Sequence, residues 1–174
     1  MSPEGEGDRT IVRQLIPHLR KQFRLNWRGI HGVSHWARVR QNGLLLSEAT
    51  GANTAVIELF AFLHDSCRRN DDYDPEHGVR AAGFAQTLHG SAFTLPSNEL
   101  DVLVEACQGH THGKFSNNVT VQTCWDADRL DLGRVGIRPL AERLCTDVAK
   151  KPEIIEWAYE RSVLGNCLIQ FDEA

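Results

Sequence analysis

No apolar run in the chain approaches the roughly 20 residues that cross a bilayer, so a membrane-spanning role is not expected. Positive charge is not in excess: the formal net charge is −4, which gives no general attraction to nucleic-acid polymers or anionic membranes. The five cysteines (Cys67, Cys107, Cys124, Cys145, Cys167) are odd in number, widely spaced and contain no C-x-x-C. They read as reduced core residues rather than as a disulfide or zinc framework. Residues 1–8 are polar and Gly-rich, unlike a signal or transit peptide. They are expected to be a disordered tail on a cytoplasmic protein. Alternating strand patterns and internal repeats are also missing, so sheet folds and solenoids are not expected.

What is present is helical periodicity. At 174 residues the chain is long enough for one domain with a real core, taken as residues 9–174. Ile11, Leu15, Leu19 and Phe23 recur at helical spacing, with Pro17 as a point of kinking. Further helices are expected over residues 33–48, 54–64, 75–88, 97–110, 120–132, 139–148 and 152–169. Asn53 is a candidate cap, and Asp74-Pro75-Glu76 has the order of a helix start. The reading is an all-α bundle of seven or eight helices. Nothing in the sequence speaks to oligomeric state.

The chain is organised around Leu59-Phe60-Ala61-Phe62-Leu63-His64-Asp65. Between Ala55 and Leu63 only Glu58 is polar, so this helix should be buried on every side. It nevertheless runs into two adjacent ionisable groups. Burying them costs several kcal/mol, about that much per ion, unless a partner compensates. A divalent cation suits both, because imidazole and carboxylate are ligands for the same ions.

Other helices aim similar groups inward. His35, Val39, Asn42 and Leu46 share one helical face, as do His77, Ala81, Phe84 and Leu88, and Leu103, Cys107 and His110. Val121, Cys124, Trp125, Asp128 and Leu132 form another stripe. Extended helical geometry puts Asp128 inward, Asp131 at the rim and Asp126 off the stripe, with Asp126 as the fallback in another register. Loss of Asp131 is then expected to matter little. Taken singly, a core histidine is usually just hydrogen-bonded; as a set, these groups call for a shared partner.

In order and context, His35, His64-Asp65 and Asp128 resemble the H…HD…D signature of the HD-domain superfamily of metal-dependent phosphohydrolases. The resemblance spans about residues 30–137. It implies an HD-domain-like helical bundle with a divalent metal held by His35, His64, Asp65 and Asp128. His77 and His110 lie where some members carry extra metal-binding histidines. The chain differs from the cyclic-dinucleotide-cleaving branch: it has no Gly-Tyr-Pro tripeptide, and Thr111 follows His110. One ion is therefore expected, with room for a weaker second.

The donor set suits Mn²⁺, Fe²⁺, Co²⁺, Ni²⁺ or Zn²⁺ better than Mg²⁺. The implied activity is hydrolysis of an ester or anhydride of a small phosphorylated metabolite, a nucleotide being the leading class. Asp65 is expected to reach both metal and attacking water. His77 and His110 are expected to bind a second ion or the phosphate. Arg38 and Arg80, each one turn from a histidine, are the expected cations for phosphoryl charge. Arg129 is expected to point away from Asp128, Arg68 and Arg69 to lie in a solvated loop that, as the connection nearest the metal, could also close over substrate, and His31 to border the cavity. The competing readings are a metal-stabilised ligand-binding or regulatory module without activity, and a di-iron oxygenase.

Overall fold

Eight consecutive residues, Val56 to Leu63, are buried in the third helix, and the other helices pack around it. The structure is a computed structural model that describes residues 4–165, with side chains from residue 12. Among the described residues it is all-α. Its helices are α1 (Glu4–Gln22), α2 (Val33–Thr50), α3 (Thr54–Leu63), α4 (His77–Leu88), α5 (Ser97–Gly109), α6 (Val119–Arg129) and α7 (Pro152–Leu164). No described helix is long and apolar enough to cross a membrane. Regular helix begins at Glu4, ahead of the position expected from the sequence, and runs through Pro17. Residues 1–3 of the expected tail, and residues 166–169 of the expected last helix, lie outside the described residues.

Local signals explain most boundaries. The Asn53 side chain accepts from the Val56 amide and starts α3, as its type predicts. Asn118 does the same for α6 through the Thr120 and Val121 amides. Gly51 ends α2 in the left-handed conformation. Glu58, the single acid in α3, is buried against Arg40.

Two expectations fail. The Asp74 carboxylate does not cap α4. It turns back to accept from the Arg69 amide and pairs with Arg80, and α4 begins at His77. Residues 139–148 do not form an α-helix; they hold one 3-10 turn, Ala141–Arg143, in an otherwise irregular loop. The amides of Cys145 and Thr146 donate to the buried Asp126 carboxylate rather than to helical carbonyls.

Two cores result. The larger joins Leu15 and Leu19 of α1, and Phe23 just after it, to Trp36, Phe60, Phe62 and the inner faces of α4, α5 and α6. The smaller joins Leu46, Leu130, Leu144, Ile155 and Ala158, and seats α7 and the 139–148 loop. Gly78 permits the close approach of α4 and α5: a Cβ there would stand 2.5 Å from the Cys107 carbonyl oxygen and 3.2 Å from the His110 ring. That approach brings His77 and His110 together.

Candidate metal centre

Each site histidine has its outer nitrogen committed. His35 Nδ1 donates to Asp131 Oδ2 at 2.7 Å. His64 Nδ1 faces the Phe60 and Ala61 carbonyls, each at 3.1 Å, at the end of α3. His77 Nδ1 bonds the Asp74 carbonyl, and His110 Nδ1 the Cys107 carbonyl at 2.8 Å. With the proton assigned to Nδ1 by these acceptors, Nε2 is the inward lone pair, the arrangement typical of metal-bound imidazole.

The inward atoms converge. His35 Nε2 and His64 Nε2 are 3.1 Å apart. Asp128 Oδ1 is 3.4 Å from the first and 3.6 Å from the second, and has no hydrogen-bond partner although the atom is buried. Two ligands about 2.1 Å from one ion, at 90–109° to each other, stand about 3.0–3.4 Å apart. The three atoms therefore have nearly the spacing of ligands around a single cation. Without one, two imidazole nitrogens and a carboxylate oxygen that takes no hydrogen bond face each other, a costly arrangement. The chemistry and geometry of this set fit a divalent ion.

Asp65 lies between two histidine pairs. Its Oδ2 is 3.6 Å from His35 Nε2 and 3.8 Å from His64 Nε2, and accepts from His31 Nδ1 at 2.9 Å. Its Oδ1 is 3.1 Å from His77 Nε2 and 3.5 Å from His110 Nε2. His64, Asp65 and His110 form a second group whose ligand atoms lie within 4.8 Å of one another. His77 Nε2 and His110 Nε2, however, are only 2.7 Å apart. That is a hydrogen-bond distance and is tighter than two ligands of one ion, so this half of the site must open to take a cation.

The electrostatics follow from burial and crowding. Burial disfavours charge on His64, but the adjacent Asp65 and Asp128 carboxylates outweigh it and raise its pKa. Burial likewise opposes the Asp65 carboxylate, yet the charge on His64, the nearby His110 ring, the hydrogen bond from His31 and the nearby His35 ring hold its pKa well below the ordinary range. Burial lowers the pKa of His35, with Arg134 acting in the same direction.

The structure thus brings together His35, His64, Asp65, Asp128, His77 and His110, and adds His31. It does not bring Arg38 or Arg80 to the reacting side. Arg38 is buried and forks onto Asp131, Nε to Oδ1 at 2.6 Å and Nη2 to Oδ2 at 3.1 Å. Arg80 Nη2 is 2.6–2.7 Å from both Asp74 oxygens, and its Nε donates to the Cys67 carbonyl. Both are structural clamps.

The cations in the cleft are others. Arg68, expected in a solvated loop, is buried with Nη1 3.7 Å from Asp65 Oδ1 and 3.3 Å from His77 Nε2. Arg134, which periodicity did not single out, has Nη2 3.9 Å from Asp128 Oδ1 and is tied to the Ile30 and Asp131 carbonyls. Arg129 also lines the cleft, but its guanidinium turns away from Asp128, as expected, to the Gly113 and Arg143 carbonyls.

The three acidic residues near the end of α6 need the largest correction. Asp126 and Asp131 are fully buried, whereas the Asp128 side chain is 16% exposed. Asp128 points to the metal cluster as expected, but Asp131 is no rim residue. It holds His35 from behind. The helix ends at Arg129, so rotating 100° per residue out to Asp131 misplaces it. Its distance of one turn from Asp128 and the presence of Arg38 one turn after His35 are the signals that could have revealed this pair.

In comparisons with family models, with curated proteins and with solved structures, nothing matches this chain.

Proposed function

We propose that the chain is a metal-dependent phosphohydrolase of the HD-domain kind, acting on a small phosphorylated metabolite, with nucleotides as the leading class. The observation that carries this reading is the convergence at ligand spacing of His35 Nε2, His64 Nε2 and Asp128 Oδ1, which takes no hydrogen bond. His35, His64, Asp65 and Asp128 would hold the principal ion, drawn from Mn²⁺, Fe²⁺, Co²⁺, Ni²⁺ and Zn²⁺. His77 and His110, with Asp65 Oδ1, would hold a weaker second ion or contact the phosphate. When bound, the cation lowers the pKa of a coordinated water and polarises a phosphoryl oxygen.

The chain's own residues supply the rest. Asp131 and the α3 carbonyls fix the His35 and His64 rings. His31 orients the Asp65 carboxylate, which faces both histidine pairs and is placed to accept a proton from the attacking water. Arg134 and Arg68, in the roles expected of Arg38 and Arg80, stabilise negative charge on the phosphoryl oxygens. The His77–His110 pair can deliver a proton to the leaving oxygen. The four described cysteines are free, which suits a reducing compartment, and we place the protein in the cytoplasm.

The test is a panel of nucleotides and simple phosphate esters assayed with the full chain loaded with Mn²⁺, Co²⁺, Ni²⁺, Zn²⁺ or Mg²⁺. Metal-dependent phosphate release from at least one substrate is the expected result. No turnover by a fully loaded site would favour the ligand-binding module. An O₂-dependent reaction with a bridged di-iron spectrum would favour the oxygenase.

A further inference from the structure

The metal cluster opens into a cleft of about 850 Å³ whose walls are unusually basic for this acidic chain. Six cationic side chains line it against three carboxylates, Asp65, Asp128 and Glu142, and two of those three belong to the metal cluster. Arg68 and Arg134 stand beside that cluster. The other four, Lys114, Arg129, Arg138 and Arg143, line the rest of its wall.

That wall is built from two loops held together from α6. Arg129 donates to the Gly113 and Arg143 carbonyls, one from each loop. Asp126, buried one turn earlier, accepts from the Cys145 and Thr146 amides and the Thr146 hydroxyl at 2.7–2.8 Å. The Cys145 thiol faces the Lys114 carbonyl at 3.7 Å. The loops bearing Lys114 and Arg143 are therefore clamped side by side. Both side chains are exposed, and neither has an ion-pair partner among the described residues. Arg138 differs, being paired with Glu156.

We propose that the cleft takes a substrate with two or more linked phosphoryl groups: one at the metal cluster, and the next ones on the basic wall of Lys114 and Arg143. This deepens the phosphohydrolase reading and rests on it for the fate of the substrate, though not for its binding. A phosphomonoester brings at most two negative charges, which Arg68, Arg134 and the ion already meet. A di- or triphosphate brings about three or four, and such a chain has the charge to engage the remaining cations as well. Anhydride hydrolysis is then the reaction that the site favours.

Binding tests this without turnover. Tripolyphosphate and orthophosphate are titrated calorimetrically into the chelator-treated full chain, so that ligand does not compete for metal. Tripolyphosphate should bind at least tenfold more tightly than orthophosphate. The Lys114→Ala/Arg143→Ala variant should lose at least tenfold in tripolyphosphate affinity, in line with loss of charge-assisted hydrogen bonds. Arg24→Ala/Lys151→Ala, which removes two exposed cations outside the cleft, should lose less than twofold. Equal affinity for the two anions, full retention by the cleft variant, or an equal loss in the control would each overturn the proposal. Failure of hydrolysis alone would strike at the enzymatic reading and leave this binding result standing.

Discussion

Asp131→Asn separates the buried clamp from the metal cluster that it supports. The Asp131 carboxylate is fully buried and takes three short hydrogen bonds, two from Arg38 and one from His35 Nδ1. Burial works against its charge, but His35 and Arg38 outweigh this and keep its pKa below the ordinary value. An amide of the same shape neutralises the partner of Arg38, whose side chain is only 5% exposed. Breaking one side of a buried ion pair costs about 3–5 kcal/mol. Because the amide still accepts one hydrogen bond, about 3 kcal/mol is expected. His35 loses its anionic acceptor, and replacing such an outer partner lowers metal affinity about 10- to 100-fold. Urea unfolding and calorimetric Zn²⁺ titration measure the two effects. In the double variant Arg38→Leu/Asp131→Asn the unpaired charge is gone, so stability should recover in part while metal affinity stays low. Unchanged metal affinity in Asp131→Asn, or its recovery in the double variant, would refute the orienting role.

Metal affinity should also rise with pH through a window at and above about 6.5, because the raised pKa of His64 makes a proton compete with the cation there, and binding must release it; a pH-independent affinity between 6 and 8 would contradict this. Arg80→Ala should cost about 1–3 kcal/mol of stability, since it strips the buried Asp74 of its cation, while leaving metal affinity within twofold of the parent. Gly78→Ala should destabilise by about 1–2 kcal/mol, because a Cβ 2.5 Å from the Cys107 carbonyl forces α4 and α5 apart and offsets the gain in helix propensity. A melting temperature at or above that of the parent would show that the helices can shift without cost.

The helical bundle and the convergence of its histidines were legible because both rest on local rules. Apolar periodicity and caps such as Asn53 set the helices, and i, i+4 spacing placed His35, His77 and His110 on inner faces. The failures lie where a tertiary contact overrides the local rule. Asp126 and Asp128 sit on a helix packed against α2, α3 and α5, so burial is not confined to one stripe and does not rank them, and Asp131 lies past the end of that helix. Asp126 falls off the apolar stripe in the sequence, but the 139–148 loop folds onto it, and the Cys145 and Thr146 amides donate to its carboxylate instead of to helical carbonyls. Arg38 and Arg80 stand one turn from site histidines as predicted, but nearness along a helix does not say whether a guanidinium turns toward the cleft or toward a buried carboxylate. Arg134 follows a glycine in a 3-10 turn, where no helical register applies.

Anomalous scattering from crystals grown with saturating Mn²⁺ or Zn²⁺ shows whether a cation sits among these side chains. A peak is predicted about 2.1 Å from His35 Nε2, His64 Nε2 and a carboxylate oxygen each of Asp65 and Asp128. Full-strength data with no peak there, and with His35 and His64 still in bare contact, would mean that these side chains hold no cation.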